Sequence, residues 1–161
     1  MEITVRRATP ADAPLVAEFA LRLTEEVMER AGVPDFDADP QQAAALCRDF
    51  LERGLYTAFF ALEGAKQQPI AAATLCESHA LYARGSFGII QEFFVEPAFR
   101  SQDVGAALLG AIVDYGRERG WTRVELCTPP LPEFSRTLGF YEKNGFKVTG
   151  GRKMKQLIDP L

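Results

Sequence analysis

The chain has 161 residues, of which 47% are apolar and 25% charged, and its formal net charge is −4. That composition is typical of a soluble globular domain, and no apolar run approaches the roughly 20 residues of a membrane-spanning helix. The acidic charge argues against non-specific nucleic-acid binding. Three isolated cysteines and a single histidine exclude a disulfide framework and most histidine-based metal or catalytic sites.

The N-terminal part of the sequence predicts one strand and one helix. Residues 3–6 alternate like a half-buried strand. Residues 1–7 contain no apolar signal core, so we expect a cytoplasmic protein. Thr9 to Asp12 has the pattern of a capping box with proline at the first helical position. Gly32 ends the helix, and its apolar residues recur at four-residue spacing: Leu15, Phe19, Leu23 and Val27.

The rest of the chain predicts a second helix and then a strand-rich region. Asp39-Pro40 begins a helix that ends at Gly54 and directs inward Ala43, Leu46, Cys47 and Phe50. Strands are predicted over 55–63, 70–77, 87–95 and 123–127, helices over 104–119 and 132–144, and a final hairpin over 146–158. With no repeat or low-complexity linker, residues 1–161 are expected to form one domain. The order of elements predicts an α/β fold, with a mixed central sheet of about seven strands and helices on both faces.

Residues 93–109 carry the strongest functional signal. A strand ends at Val95, a proline two residues later prevents its continuation, and a polar turn leads into a helix that begins near Val104. The first N–H groups of a helix lack intrahelical partners and lie at the positive end of its dipole, so they suit an anion. Arg100 would add positive charge, and Gly105 would permit a close approach. The same residues also fit a plain strand–helix connection with a solvated loop.

This stretch resembles the pyrophosphate loop of the GNAT N-acetyltransferase superfamily, whose pattern is Arg/Gln-x-x-Gly-x-Gly/Ala at the start of the central helix. Residues 93–97, FFVEP, look like the family's fourth strand, whose splayed backbone bonds the pantetheine arm of acetyl-CoA. Residues 140–146, FYEKNGF, are close to the family's Phe-Tyr-x-Lys-x-Gly-Phe signature, and residues 5–16, VRRATPADAPLV, are similar to its first strand and helix. The resemblance therefore spans nearly the whole chain.

The resemblance implies a GNAT-type fold and an acyltransferase that uses acetyl-CoA as cosubstrate, without a metal. Such an enzyme would acetylate a primary amine, on a small molecule or a protein, by direct transfer in a ternary complex. Neither nucleic acid nor a membrane is an expected partner, and because relatives often dimerise, a homodimer is open to this chain. The cofactor contacts that the resemblance implies are Phe93, Phe94, Val95, Arg100, Ser101, Gln102, Asp103, Val104, Gly105 and Ala106.

Two residues depart from the family's pattern. Asp103 replaces the first glycine of the loop, and Phe134 stands seven positions before Tyr141, where many relatives carry asparagine. Because Asp103 lies at an N-cap position, we expect its carboxylate to bond the N–H groups two or three residues on and to repel a polyanion. The Asp103 carboxylate would therefore weaken cofactor binding or give the loop an unusual shape. Both departures support a second interpretation, in which the chain is a non-catalytic GNAT-fold module that binds acyl-CoA or a partner.

Transfer from a thioester to an amine requires a neutral amine and a proton donor for the leaving thiolate. The resemblance places Tyr141 against the cofactor sulfur, where a phenol with a pKa of about 10 can donate. The alternative for Tyr141 is an aromatic residue packed in the core.

Glu92, inside an apolar strand, becomes a candidate base if it faces the substrate cleft. The alternatives are a salt-bridged or solvent-facing Glu92, or a water chain with no single base. Strand alternation places Gln91 on the opposite face, so only one of the two would line the cleft.

Three other patterns carry less information. Cys76 and His79 lie three residues apart near a strand end, hence on opposite faces, so we do not expect a thiol–imidazole pair. Residues 35–39, DFDAD, begin like a calcium loop but lack its later glycine and glutamate, which favours a solvated loop. Acidic residues near the first two helices either favour a cationic acceptor or form an exposed charged face: Glu25, Glu26, Glu29, Asp35, Asp37 and Asp39. Residues 33–40 and 79–86 are expected to determine which acceptor binds.

Overall fold

The computed structural model describes residues 1–32 and 39–159. The strands are β1 (Ile3–Arg7), β2 (Thr57–Glu63), β3 (Gln68–Ala80), β4 (Gly85–Val95) and β5 (Val124–Leu126). The helices are α1 (Ala13–Ala31), α2 (Pro40–Glu52), α3 (Val104–Arg119) and α4 (Ser135–Lys143), with short 3-10 turns at Pro10–Asp12 and Pro97–Phe99. No helix within the described ranges is long and apolar enough to cross a membrane.

Across the described residues the strands form one mixed sheet in the order β1-β2-β3-β4-β5. The first four strands pair antiparallel to their neighbours, and β5 pairs parallel to β4. The sheet therefore has five strands, and the prediction of about seven is wrong. The two missing strands are those of the hairpin expected over 146–158, where residues 147–158 are exposed and carry no strand. Gly150-Gly151 and several lysines disfavour strand structure there, and a hairpin with no buried face is marginal in water.

Helices cover both faces of the sheet, as the sequence predicted. On one face α1 and α2 pack against the strands, with Phe19 and Cys47 in a cluster that includes Phe60 and Phe94. On the other face α3 and α4 bury Leu108, Ile112 and Tyr141 against a second set of strand residues that includes Leu75 and Ile90. The sheet is thus the middle layer of the fold, and successive residues of β4 contribute to different clusters.

The helix boundaries mostly agree with the sequence, but one buried face does not. The third helix begins at Val104 and ends at Arg119, as predicted. In α2 the prediction that Leu46 points inward is wrong, because its side chain is 47% exposed. The side chains that pack from α2 are instead Ala43, Ala44, Cys47 and Leu51. The packed face is therefore rotated around the helix relative to the predicted face. It contains Ala44 and Leu51 in place of Leu46 and Phe50, and Leu51 continues the four-residue spacing of Ala43 and Cys47.

Candidate active site

The parallel pairing of β4 with β5 covers only the first part of β4. Its three registered pairs end at Ile90 with Leu126. From residue 92 to residue 95, β4 remains paired to β3 on one side, while no β5 residue lies in register on the other. Backbone N–H and C=O groups at such an open edge seek partners. The divergence of the two strands therefore creates a place where a ligand can bond the backbone.

A cavity of about 560 Å³ lies at this divergence. Its walls come from the end of β4, the segment after β5, the loop and first turn of α3, one face of α4, and the C-terminal half of α1. That volume is within the usual range for a small-molecule or cofactor site. Most of the residues predicted from the sequence line it: Phe93, Phe94, Val95, Arg100, Ser101, Asp103, Gly105, Ala106 and Tyr141.

Three predicted residues do not line the cavity. Val104 is buried in the core beneath α3. The Gln102 side chain donates to the carbonyl oxygen of Ala98 at 2.9 Å, which closes the turn before the helix. The third, Glu92, is not among the lining residues although both of its neighbours in the strand are. The side chains of Val104 and Gln102 thus stabilise the loop on the side away from the cavity. Any contact that these residues make with a cofactor would be through their backbone.

The structure corrects the prediction that the Asp103 side chain caps α3. Asp103 has φ +65° and ψ 8°, in the left-handed region, and its carboxylate makes no capping hydrogen bond. An N-cap side chain reaches the following amides from extended backbone, and the left-handed backbone removes that geometry. Because glycine adopts this region readily, the φ angle also explains why the family's pattern has glycine there. The first amides of α3 consequently have no side-chain cap.

Arg100 is held by protein groups on three sides. Its Nε donates to the Val95 carbonyl at 2.9 Å, and its terminal nitrogens donate to Glu26, the shorter distance being 2.6 Å. The guanidinium also lies 5.3 Å from the centroid of the Phe94 ring. Glu26 pairs in turn with Arg30 at 3.1 Å. Although burial opposes ionisation of Glu26, the two arginines outweigh it and hold the pKa of that carboxyl below its ordinary value.

A second ion pair joins α1 to the end of β4. Arg22 donates to both carboxylate oxygens of Glu96, at 2.5 and 2.8 Å, and lies 4.9 Å from the Phe94 ring centroid. The Phe94 ring therefore contacts both Arg22 and Arg100, each held by a glutamate. We name these two arginine–glutamate pairs the α1–β4 seam. The seam fixes the wall of the cavity formed by α1.

Phe134, the other departure from the family's pattern, is part of the same wall. It is buried, and the Arg30 guanidinium lies 4.0 Å from its ring centroid. Arg30 also donates to the carbonyl oxygen of Glu133 at 2.6 Å. A phenylalanine at this position thus supplies a ring on which a cation from α1 packs. It joins the segment before α4 to α1 where an asparagine would present a polar side chain.

Tyr141 combines a buried ring with an available hydroxyl. Its ring lies 5.9 Å from Phe93 and 5.5 Å from Phe146, in edge-on contacts. Burial raises the pKa of Tyr141 above its ordinary value, so the phenol is protonated at neutral pH. The residue lines the cavity, and no described residue hydrogen-bonds its hydroxyl. The hydroxyl is therefore free to donate to a ligand.

Gly105 lets another group come close to the backbone of α3, and in this structure that group is the Phe140 side chain. A Cβ atom at Gly105 would lie 2.7 Å from Cζ of Phe140. The Phe140 ring also contacts Phe93 and Tyr141, at centroid distances of 5.9 and 5.1 Å. The glycine therefore allows α4 to pack on the first turn of α3. This contact places Tyr141 beside the loop.

Substituting glycines on α3 tests this packing. Gly105→Ala should lower the free energy of unfolding by about 1–3 kcal/mol, because the new methyl overlaps a ring that has little room to move. Gly110→Ala is the matched control: its Cβ would meet no atom within 4 Å, and alanine in a helix should stabilise by roughly 0.5–1 kcal/mol. Urea denaturation of both variants measures the difference. Equal changes in the two variants would contradict the assigned contact.

A β-bulge corrects the prediction that Gln91 and Glu92 face opposite ways. Thr74 pairs with Glu92 and Leu75 with Ile90, which leaves Gln91 as an extra residue. Glu92 accepts a hydrogen bond from the Thr74 hydroxyl, and the Gln91 amide lies 3.1 Å from the Cys76 sulfur. Because Thr74 and Cys76 are two residues apart on β3, they share a face. Gln91 and Glu92 are therefore on the same side of the sheet.

Glu92 lies on the face covered by α2. Its carboxylate accepts hydrogen bonds from the Thr74 hydroxyl and from the Tyr56 hydroxyl, the latter at 3.0 Å. Burial and the nearby carboxylate of Glu92 raise the pKa of Tyr56 above its ordinary value, so that phenol remains a donor. Gln91, and not Glu92, reaches the cavity. Glu92 is next to Phe93 along the strand, so it stands on the opposite side of β4 from Tyr141.

Sequence reasoning missed the wall of the cavity formed by α4. Arg136, Gly139, Phe140 and Lys143 all line it. Their i, i+3, i+4, i+7 spacing places them on one face of a helix, and this spacing was a signal that could have found them. Cys127, just after β5, also lines the cavity and is exposed.

The remaining sequence patterns do not form sites. Cys76 and His79 remain apart, since His79 hydrogen-bonds Ser86 at 2.8 Å. Asp39 caps α2 by accepting from the Gln41 amide at 3.0 Å. Residues 33–38, which include the calcium-like pattern and the acidic Asp35 and Asp37, lie outside the described residues. Within residues 1–32 and 39–159, no cluster of three His, Cys, Asp or Glu side chains could hold a metal ion.

Known proteins are similar to this chain in sequence and in fold. Residues 21–146 match the Acetyltransferase (GNAT) family. The chain is 39% identical over 62 residues to an uncharacterized N-acetyltransferase of Methanocaldococcus jannaschii, an alignment that covers 36% of this chain. It is 33% identical over 75 residues, or 46% of this chain, to glucosamine 6-phosphate N-acetyltransferase 1 of Oryza sativa subsp. japonica. These alignments span 27% and 46% of the two relatives' own lengths.

The fold is also that of a solved acetyltransferase structure. A predicted acetyltransferase from Clostridium acetobutylicum, determined with acetyl-CoA, superposes with a TM-score of 0.75 over 98% of this chain and 97% of its own, at 22% identity. The chain belongs to the GNAT acetyltransferase family of acyltransferases.

Proposed function

We propose that residues 1–161 act as a single acetyl-CoA-dependent N-acetyltransferase domain that acetylates a primary amine by direct transfer in a ternary complex. The observation that carries this proposal is the open edge of β4 over residues 91–95. It lies beside a cavity that also receives the uncapped start of α3 and the free hydroxyl of Tyr141. One cavity thus offers backbone partners for an extended arm, amides for a phosphate and a proton donor.

The cofactor contacts proposed are the backbone of Phe93 to Val95 and the loop from Arg100 to Ala106. The amine nitrogen would attack the thioester carbonyl, and the bond from carbonyl carbon to sulfur would break as the new bond to nitrogen forms. Tyr141 would donate its phenolic proton to the departing thiolate. Because Glu92 does not line the cavity, it would take a proton from the amine only through water. The acceptor is proposed to be a small-molecule or protein amine, a class to which the name of the rice relative also points.

Acetyl-CoA should stabilise the folded chain, whereas acetate should not. A ligand that binds only the native state, at about 100 times its Kd, adds about 2.7 kcal/mol. For a domain of this size that corresponds to a rise in Tm of roughly 5–10 °C. Thermal unfolding with acetyl-CoA, with acetate and without ligand provides the measurement. An unchanged Tm at millimolar acetyl-CoA would refute the cofactor assignment.

The alternative of a non-catalytic module rests on Asp103 and Phe134. Their positions do not close the cavity, because Asp103 leaves the α3 amides uncapped and Phe134 packs under Arg30. Thioester consumption in the presence of a library of primary amines separates the two functions. Turnover with an amine supports the enzyme. Binding of acetyl-CoA without turnover for any amine class would favour the module.

A further inference from the structure

The charges that line the cavity are unevenly placed. Four cationic side chains and two carboxylates line it, namely Arg30, Arg100, Arg136, Lys143, Glu26 and Asp103. This is an excess of positive charge in a chain whose net charge is −4. Such an excess attracts an anion to the cavity. The location of the uncompensated charge then decides where that anion is held.

On the side of α1 and β4 the cations are already compensated. Arg100 and Arg30 both pair with Glu26, and each guanidinium also packs on a phenylalanine ring and donates to a backbone carbonyl. To bind a phosphate, Arg100 would have to weaken its contacts with Glu26 and Val95, which fix the α1–β4 seam. The arginine that the family's loop pattern selects is thus structural in this chain.

On the α4 side the cations have no carboxylate partner among the described residues. Arg136 and Lys143 are exposed, and neither is within ion-pair distance of a carboxylate of residues 1–32 or 39–159. Their i, i+7 spacing places both on the face of α4 that fronts the cavity. Gly139, one turn along the same face, adds no side chain. One nitrogen of Arg136 already donates to the Ser101 hydroxyl at 3.3 Å, so the guanidinium reaches the loop from across the cavity.

We propose that Arg136, assisted by Lys143, holds the diphosphate of the nucleotide thioester against the loop amides, and that Arg100 instead positions the loop through the α1–β4 seam. A guanidinium presents a fork of donors that matches phosphate oxygens, and the Ser101 hydroxyl and the α3 amides face it across the same cavity. The proposal rests on the proposed function, because it places the phosphates of the acetyl-CoA assigned there. It identifies α4, and not only the loop, as a determinant of affinity for the nucleotide part of that ligand.

The test compares ligands with and without phosphates. Calorimetric titration with acetyl-CoA should give a Kd about tenfold higher for Arg136→Gln than for the unsubstituted chain, which is the scale of one charged hydrogen bond. The ratio should fall at 0.5 M salt, because screening weakens the attraction. Binding of S-acetylpantetheine, which has the thioester arm without the nucleotide, should change less than twofold. Lys143→Gln should behave in the same way with a smaller effect.

Two controls separate charge recognition from other effects. Lys66→Gln removes the same charge from the β2–β3 turn, away from the cavity, and should change neither affinity. Arg100→Gln disturbs the seam and should weaken both ligands in parallel. An Arg136→Gln variant that binds acetyl-CoA within twofold of the unsubstituted chain would overturn the proposal, as would an equal loss for both ligands. If the unsubstituted chain itself binds no acetyl-CoA, the proposed function fails and this inference fails with it.

Discussion

The Tyr141→Phe variant is expected to lose roughly 10²-fold or more in turnover rate, the scale of general acid catalysis. The substitution keeps the ring, whose contacts with Phe93 and Phe146 hold α4 in place, and removes only the hydroxyl that faces the cavity. Affinity for acetyl-CoA and Tm should therefore change little. Single-turnover kinetics with saturating acetyl-CoA measure the chemical step separately from binding.

Tyr115→Phe is the matched control for that experiment. Its hydroxyl lies 3.2 Å from Thr57 Oγ1 on the β2 side of α3, and it is not among the residues that line the cavity. This variant should lose some stability and keep its turnover rate. A Tyr141→Phe variant with near-normal turnover would remove the phenol from the mechanism, whatever the behaviour of the control.

The second large effect is expected for Glu92→Gln. A glutamine has the same shape and its carbonyl can still accept from the Tyr56 and Thr74 hydroxyls, but it cannot take up a proton from an ammonium. We expect kcat/KM to fall by about 10²-fold at neutral pH.

Glu63→Gln, at the far end of β2, makes the same chemical change away from the site and should leave kcat/KM unaltered. If Glu92→Gln retains its rate, the amine loses its proton to water and not to this carboxylate. That outcome would leave the role of Tyr141 untouched, so the two substitutions test separate halves of the mechanism.

Local sequence patterns predicted most helices and strands correctly, because helix formation depends mainly on interactions between residues that are close in sequence. The stripe of apolar residues in α3, and Gly120 at its end with φ +73°, specify that helix without reference to the rest of the chain. The prediction of the final hairpin was wrong because strands depend on residues that are distant in sequence. Strands depend on neighbouring strands for their backbone hydrogen bonds, and residues 147–158 have no buried face to hold them against the sheet.

The errors at the candidate site arose where backbone geometry overrides the side-chain pattern. Alternation assigned Gln91 and Glu92 to opposite faces, but a single extra residue in β4 changed the phase of the strand. Asp103 is a residue type that is common at N-cap positions, but its backbone adopts the left-handed conformation that glycine favours. The engagement of Arg100 by Glu26 joins elements far apart in sequence. None of these features has a local signature strong enough to be read from one chain.

The contact between Gly105 and Phe140 also bears on the order in which the protein is completed during synthesis. All five strands precede α4 in the sequence, and N-terminal parts of a chain generally fold first during synthesis. The loop before α3 is then present, but the ring that packs on it and the phenol beside it are not. The nascent chain therefore acquires its stable scaffold before it acquires a closed site. A fragment that ends before α4 would contain all five strands but lack the Phe140 ring and the Tyr141 phenol that complete the site.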